Sequence, residues 1–322
     1  AAMKLVEQGK LDLDRPVEGY LTRWHLPSTA FDSRDVTARR LLSHTAGLTD
    51  GLGFGDYRRD EALPTLEEAL AAPRASSGRP SSPIAVGIQP GSQFRYSGGG
   101  YLLLELLVEE LSGERFDTFV TREVLHPLGM TRSGYADLSA TTNSAKSYYA
   151  DGRPAPIYQY ASRAATGFTT SASDMVKLVL AQLRTVEGSP LARKTLESMR
   201  IAEARSMGAD LWGLGTVLYA PTKDGGVIFG HDGANEPAIS ATVRINPDTE
   251  DAIIVLATGS RALASQLGAE WVFWQTGLPD VLTIPSEIRR VMPLLGWGAC
   301  GIVLLAFASA WRTRGKRITG AA

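Results

Sequence analysis

The stretch beyond Trp212 leaves the chain the fewest choices. Gly213 to Tyr219, Val227 to Phe229, Ala238 to Ile245 and Ala252 to Thr258 are short β-prone runs, separated by Asp-Gly, Gly-Gly and Asn-Pro-Asp turn signals. Connections this short join strands that double back on one another, so the runs are read as adjacent antiparallel strands. A helix over Ala262 to Gln275 is expected to pack on the resulting sheet. Upstream, helical periodicity marks Val36 to Leu42, Tyr101 to Leu111 and Ala172 to Leu183, the last with Ser171 or Ser173 as N-cap and Asp174 in its first turn. Helices first and a meander last predict an α+β fold rather than a parallel doubly wound sheet.

Ala1 to Gly9 reads as the last turns of an amphipathic helix, with Ala2, Leu5 and Val6 as its core stripe and Gly9 as its stop. Such a start, without a cap or an initiator methionine, reads as a chain cut within a helix. Pro73 to Pro90 is rich in Pro, Ser and Gly and reads as a surface loop. The only cysteine, Cys300, rules out an intrachain disulfide and any multi-cysteine zinc site. His25, His44, His126 and His231 include no pair at i, i+4, so neither a metal nor a cofactor is expected. The 33 basic and 34 acidic residues leave a net charge of −1, which gives no field to draw the chain to nucleic acid.

Val291 to Trp311 holds 21 residues without a charge, enough to span roughly 30 Å as a helix. The expectation from this run is one C-terminal transmembrane helix. Arg289 and Arg290 precede it, whereas Arg312, Arg314, Lys316 and Arg317 follow it, which predicts a cytoplasmic tail and an extracytoplasmic main domain at the cell membrane. The expected organisation is therefore a domain over 1–277, a linker over 278–290, a membrane helix over 291–311 and a basic tail over 312–322.

Five segments then point to a family. LVEQGKLDLDRPV from Leu5, ARRLLSHTAGL from Ala38, PGSQFRYSGGGY from Pro90, TGFTTSASDMVKLVLAQL from Thr166 and FGHDGANEP from Phe229 resemble, in order, the serine β-lactamase-related superfamily: class C β-lactamases, family VIII esterases and D-aminopeptidase-type penicillin-binding proteins. The resemblance implies a β-lactamase/transpeptidase-like fold, an antiparallel sheet flanked by helices with a helical subdomain. It also implies a serine hydrolase acting through an acyl-enzyme on amide, ester or β-lactam carbonyls of a small-molecule or peptide substrate.

By that resemblance Tyr96, in Tyr96-Ser97-Gly98, is the tyrosine that helps move the nucleophile's proton, and a phenol of ordinary pKa about 10 needs a nearby lysine for that work. Gly98 stands where the family's motif has asparagine, which favours an esterase or peptidase over a β-lactamase. His231-Asp232-Gly233 matches the Lys-Thr-Gly position in its His-x-Gly form. His231 is then the polarising group, Gly233 lets substrate lie along the strand, and the Ala234 N–H is one of two oxyanion donors. Asp232 completes the substrate-binding set.

The family's Ser-x-x-Lys pair is missing. Three residues before each of the seven lysines stand Ala1, Glu7, Asn143, Asp174, Leu191, Ala220 and Thr313, never a serine. The resemblance places the pair a few helical turns upstream of Ala1, so these 322 residues alone are expected to be inactive. No Gly-x-Ser-x-Gly occurs, which excludes an α/β-hydrolase elbow. Ser43 and Ser97 are the obvious substitute nucleophiles, and His44 is expected to fix a loop. The alternative function is a non-catalytic peptidoglycan- or peptide-binding scaffold with the same fold.

Overall fold

The computed structural model describes residues 1–50, 57–74, 82–135, 143–184, 186–235, 237–285, 288–289, 292–293, 300–303 and 305–307. These form two compact units, Ala1–Leu278 and Pro279–Ala322.

In the first unit, α1 (Ala2–Glu7) buries Ala2, Met3 and Leu5, and the chain leaves it through Gly9 at φ +68°. Two single turns, Val17–Gly19 and Ser33–Asp35, lead to α2 (Ala38–Leu42), whose Thr37 side chain accepts the Arg40 N–H as an N-cap. A capping box of Thr65 and Glu68 starts α3 (Leu66–Ala71). The longest helix, α4 (Gly98–Ser112), is buried almost all round, with Leu102, Leu103, Leu106 and Leu107 at 0–2% exposure. A helix apolar on every side belongs at the centre of a core. Around it pack α1, α2, α3 and α5 (Phe116–Val120), the last running on into the turn Thr121–Leu125.

Ser171 caps α6 (Ala172–Leu183), α7 (Arg193–Ser198) follows, and six antiparallel strands come in chain order: β1 (Ala204–Ser206), β2 (Ala209–Trp212), β3 (Val217–Pro221), β4 (Val227–Asn235), β5 (Ile239–Asn246) and β6 (Asp251–Thr258). The expected meander is present, preceded by the short β1–β2 hairpin, which carries too few residues to signal itself in the sequence. The strand expected to end at Phe229 continues to Asn235. Period-2 alternation sends Ile228 to one sheet face, with Val272 of α8 (Leu263–Thr276), and Phe229 to the other, with Val179 and Leu183 of α6. Both faces of the sheet are therefore covered by helix.

The C-terminal expectation is corrected. Among the described residues no helix is long and apolar enough to cross a membrane. Of Val291 to Trp311 the described residues are 292–293, 300–303 and 305–307, all helical, and the remainder of that run lies outside the described residues, as does the tail 312–322. Apolar content set the expectation, whereas spanning also needs one long continuous helix, which the described residues do not form.

Candidate active site

The wall that carries Tyr96 begins at the end of α2. His44 sits at φ +57°, its N–H donating to the Leu41 carbonyl while the Thr45 N–H donates to that of Arg40. This is the left-handed helix stop that glycine usually fills, and an L side chain there costs roughly 1 kcal/mol. What offsets that cost is the imidazole's surroundings. It stacks on Tyr96 (centroids 4.1 Å apart, planes at 27°) and on Tyr101 (5.1 Å, 28°), and meets Trp212 edge-on at 4.7 Å. Nδ1 accepts the Ser97 N–H at 3.2 Å, so the proton of the neutral ring is on Nε2, which is buried and has no hydrogen-bond partner among the described residues. Burial, with nearby His231 adding to it, lowers the His44 pKa to about 3, so the ring is neutral at any physiological pH.

Behind Tyr96, Asp50 closes the start of α4. Its carboxylate accepts the Ser97 hydroxyl at 2.6 Å and the Gly99 N–H at 2.7 Å, and the Ser97 oxygen in turn accepts the Gly100 N–H. A Cβ on Gly99 would lie 2.8 Å from that carboxylate, which is why glycine stands there. Ser97 is thus a helix cap at 4% exposure, and Ser43, at 1%, donates to the Arg39 carbonyl. Neither hydroxyl is available as a nucleophile. Gly98 is buried as the first residue of α4. The Tyr96 phenol has no hydrogen bond among the described residues, and burial alone raises its pKa.

The opposing wall is β4. His231 pairs with Val243, Asp232 with Thr242, Gly233 with Ala241 and Ala234 with Ser240. On its other side β4 pairs with β3 only as far as Gly230, opposite Val217. Beyond that point the backbone of 231–235 has no strand partner on the β3 side among the described residues, so its edge is open to an extended ligand. Gly233 and Ala234 are both exposed there.

His231 keeps an exposed outer edge while its inner side meets Trp212 edge-on at 5.4 Å, and this crowding lowers its pKa. Its Nδ1 lies 2.6 Å from the Asp232 carbonyl oxygen. A carbonyl only accepts, so in the neutral ring Nδ1 carries the proton and Nε2 keeps its lone pair. Asp232 points through the opposite face of the sheet, where its carboxylate accepts from Tyr219, Thr242 and Arg244.

Tyr96 and His231 are thus brought to the same indole: Trp212 lies 5.6 Å from the Tyr96 ring and 5.4 Å from the His231 ring. Sequence reasoning did not single out Trp212, and its only signal is a large aromatic beside Gly213. A cleft of about 220 Å³ leads to His231, lined by Met175 and Leu178 of α6, by Phe229 and Val243 of the sheet, and by Arg200. Arg200 stacks on Phe229 at 4.0 Å, and desolvation lowers its pKa to about 10. A larger hollow of about 350 Å³, lined by Lys4, Glu7 and Arg193, includes none of the site residues. Outside the site, His25 Nδ1 lies 2.9 Å from Glu18, and His126 follows the turn Thr121–Leu125. Among the described residues no three His, Cys, Asp or Glu side chains converge on a metal position.

Comparison with known proteins finds that the Beta-lactamase family model matches residues 1–272. Penicillin-binding protein 4 of Amycolatopsis lactamdurans is 27% identical over 317 residues, which cover 91% of this chain and 79% of that protein. Esterase EstB of Burkholderia gladioli is 31% identical over 178 residues, 49% of this chain and 40% of the esterase. Among solved structures, the octameric penicillin-binding protein homologue from Pyrococcus abyssi superposes with a TM-score of 0.64 at 27% identity, covering 83% of this chain and 62% of that one. The chain therefore spans less than two thirds of the esterase and of the Pyrococcus protein.

Proposed function

The chain belongs to the Beta-lactamase family, and from that premise we propose that it is the site-wall portion of a serine hydrolase acting through an acyl-enzyme on amide, ester or β-lactam carbonyls. One observation carries the proposal. Tyr96 and His231, 135 positions apart in sequence, converge on Trp212 beside an open strand edge that holds Gly233 and Ala234.

In this reading the Tyr96 phenol, with no hydrogen bond among the described residues and with its pKa raised by burial, is poised to accept a proton only when a cation lowers that pKa. The nucleophile and its lysine come from a Ser-x-x-Lys pair on a helical segment upstream of Ala1, for which the apolar cleft leading to His231 is a suitable seat. His231, held through Nδ1, presents Nε2 to the substrate. The Ala234 N–H supplies one donor to the oxyanion, and the N–H of the nucleophile supplies the other. Gly98, with no side chain to contact a substrate amide, favours esters or D-amino-acid peptides over β-lactams.

A second reading, a non-catalytic peptidoglycan- or peptide-binding scaffold, is favoured by the lack of any Ser-x-x-Lys in these 322 residues. Labelling separates the two. The coding sequence upstream of Ala1 is expected to supply an in-frame Ser-x-x-Lys. The protein translated with it should be acylated by a fluorescent penicillin or a fluorophosphonate, and Tyr96→Phe should slow that labelling. No labelling by either probe overturns the enzyme reading, and peptide binding without labelling supports the scaffold.

A further inference from the structure

The strand that presents His231 on one face carries a charged lock on the other. Asp232, the next residue, receives the Tyr219 hydroxyl at 3.0 Å, the Thr242 hydroxyl and the Arg244 guanidinium at 2.9 Å. Arg244 is 1% exposed, among the largest fully buried side chains of the protein. Its guanidinium stacks on the Tyr219 ring at 4.1 Å and donates to the Ser265 carbonyl at the start of α8. Gly268, one turn further along α8, is the opening that admits it, because a Cβ there would clash with the guanidinium.

A buried ion pair is a costly way to fasten a helix to a sheet, since both ions lose their water and an apolar pair of similar size would serve at least as well for stability. What it adds is a fixed geometry. Three donors, Tyr219 of β3 with Thr242 and Arg244 of β5, converge from the two strands flanking β4 on the carboxylate of Asp232, whose backbone carbonyl also receives the His231 Nδ1–H at 2.6 Å.

We propose that the Asp232–Arg244 pair, seated by Gly268 of α8, is a positioning device that sets the place and proton-binding state of His231 across the sheet. Asp232 is then a positioning residue that contacts no substrate. This inference rests on the proposed function only for its catalytic meaning, because the coupling itself is read from His231.

The test is an NMR titration of the four histidine rings in the 322-residue chain. The titratable and charged groups facing His231 are His44, Tyr96, Asp232 and, from the cleft, Arg200. Asp232 favours the protonated ring both through its carbonyl and through its charge, so Asp232→Asn should move the His231 midpoint down. Arg244→Met leaves the carboxylate uncompensated and should move it up, while the double variant should lie between the two. A purely structural part would move both single variants the same way or not at all. Gly268→Ala, which removes no charge and displaces only the guanidinium, should also move His231 up, with His25 and His126 as internal controls.

If the ion-pair variants unfold, Gly268→Ala decides alone. A His231 midpoint unmoved in Gly268→Ala, or moved the same way in both single variants, overturns the proposal. Shifts as described in a protein whose longer form takes up no acyl probe would leave the positioning intact and sink only the hydrolase reading.

Discussion

The two walls of the cleft are held by different physics. Tyr96 is kept in place by side chains: a strained imidazole stacked on two tyrosines, an indole edge, and a buried carboxylate that gathers the first donors of α4. His231 is kept in place by backbone, through seven consecutive register pairs from Phe229 to Asn235 against β5, with the Asp232–Arg244 lock beneath. A wall built from side chains should fail at single truncations. A wall built from a ladder should tolerate them unless a buried charge loses its partner.

The sharpest way to break this comparison is at Trp212, which touches both walls. At 3% exposure, with contacts to His44, Phe94, Tyr96 and His231, its truncation to alanine should cost about 3–5 kcal/mol, read from the denaturant midpoint at constant slope. A cost under about 1 kcal/mol would mean that the rings lean on one another without bearing load.

Next in size is Asp50→Ala, which strands the Ser97 hydroxyl and the Gly99 N–H and should cost roughly 2–3 kcal/mol. The matched change on the other wall, Thr216→Val, removes one donor to the Gly230 carbonyl and should cost only about 1 kcal/mol. Equal costs would erase the distinction between the walls.

An effect that vanishes at low pH sharpens the picture of α4 itself. Glu105 is fully buried, accepts the Ala164 N–H at 2.9 Å and has Arg163 3.9 Å away, yet desolvation raises its pKa from 4.5 to about 7. Between those values the folded state holds a proton that the unfolded state has released. Glu105 therefore supports the fold fully below pH 4.5 and loses that support as pH rises through about 7. Glu105→Gln should nearly match the parent near pH 4.5 and exceed it by up to about 3 kcal/mol at pH 8, read as paired thermal melts. A difference independent of pH would show that the carboxyl stays ionised in the core.

Much of the fold was legible because its signals are local. Ser171 before Ala172, Gly9 after α1 and the Asp-Gly and Asn-Pro-Asp turns act within a few residues, and α6 starts and stops where the periodicity placed it. The β1–β2 hairpin and α3 were missed because three- to six-residue elements carry too little pattern. The membrane helix was expected from apolar content alone, whereas among the described residues no helix is long and apolar enough to cross a membrane. At the site, Tyr96 and His231 were visible through their neighbours in sequence, whereas Trp212 and Arg244 were not, since nothing within ten residues of either says what it will touch.

The sequence by itself determined the meander, the capped helices, the two motifs and the absence of a Ser-x-x-Lys pair, all written in short-range order. Only the tertiary structure decided that both motifs meet at one indole, that Ser97 is a cap and Ser43 is buried, and that Asp232 faces away from its neighbour His231. The physical reason is that capping and turn formation act over a few residues, whereas burial, ring stacking and ion pairing join residues from 12 positions apart, as in Asp232 to Arg244, to more than 150, as in His44 to Trp212 and His231.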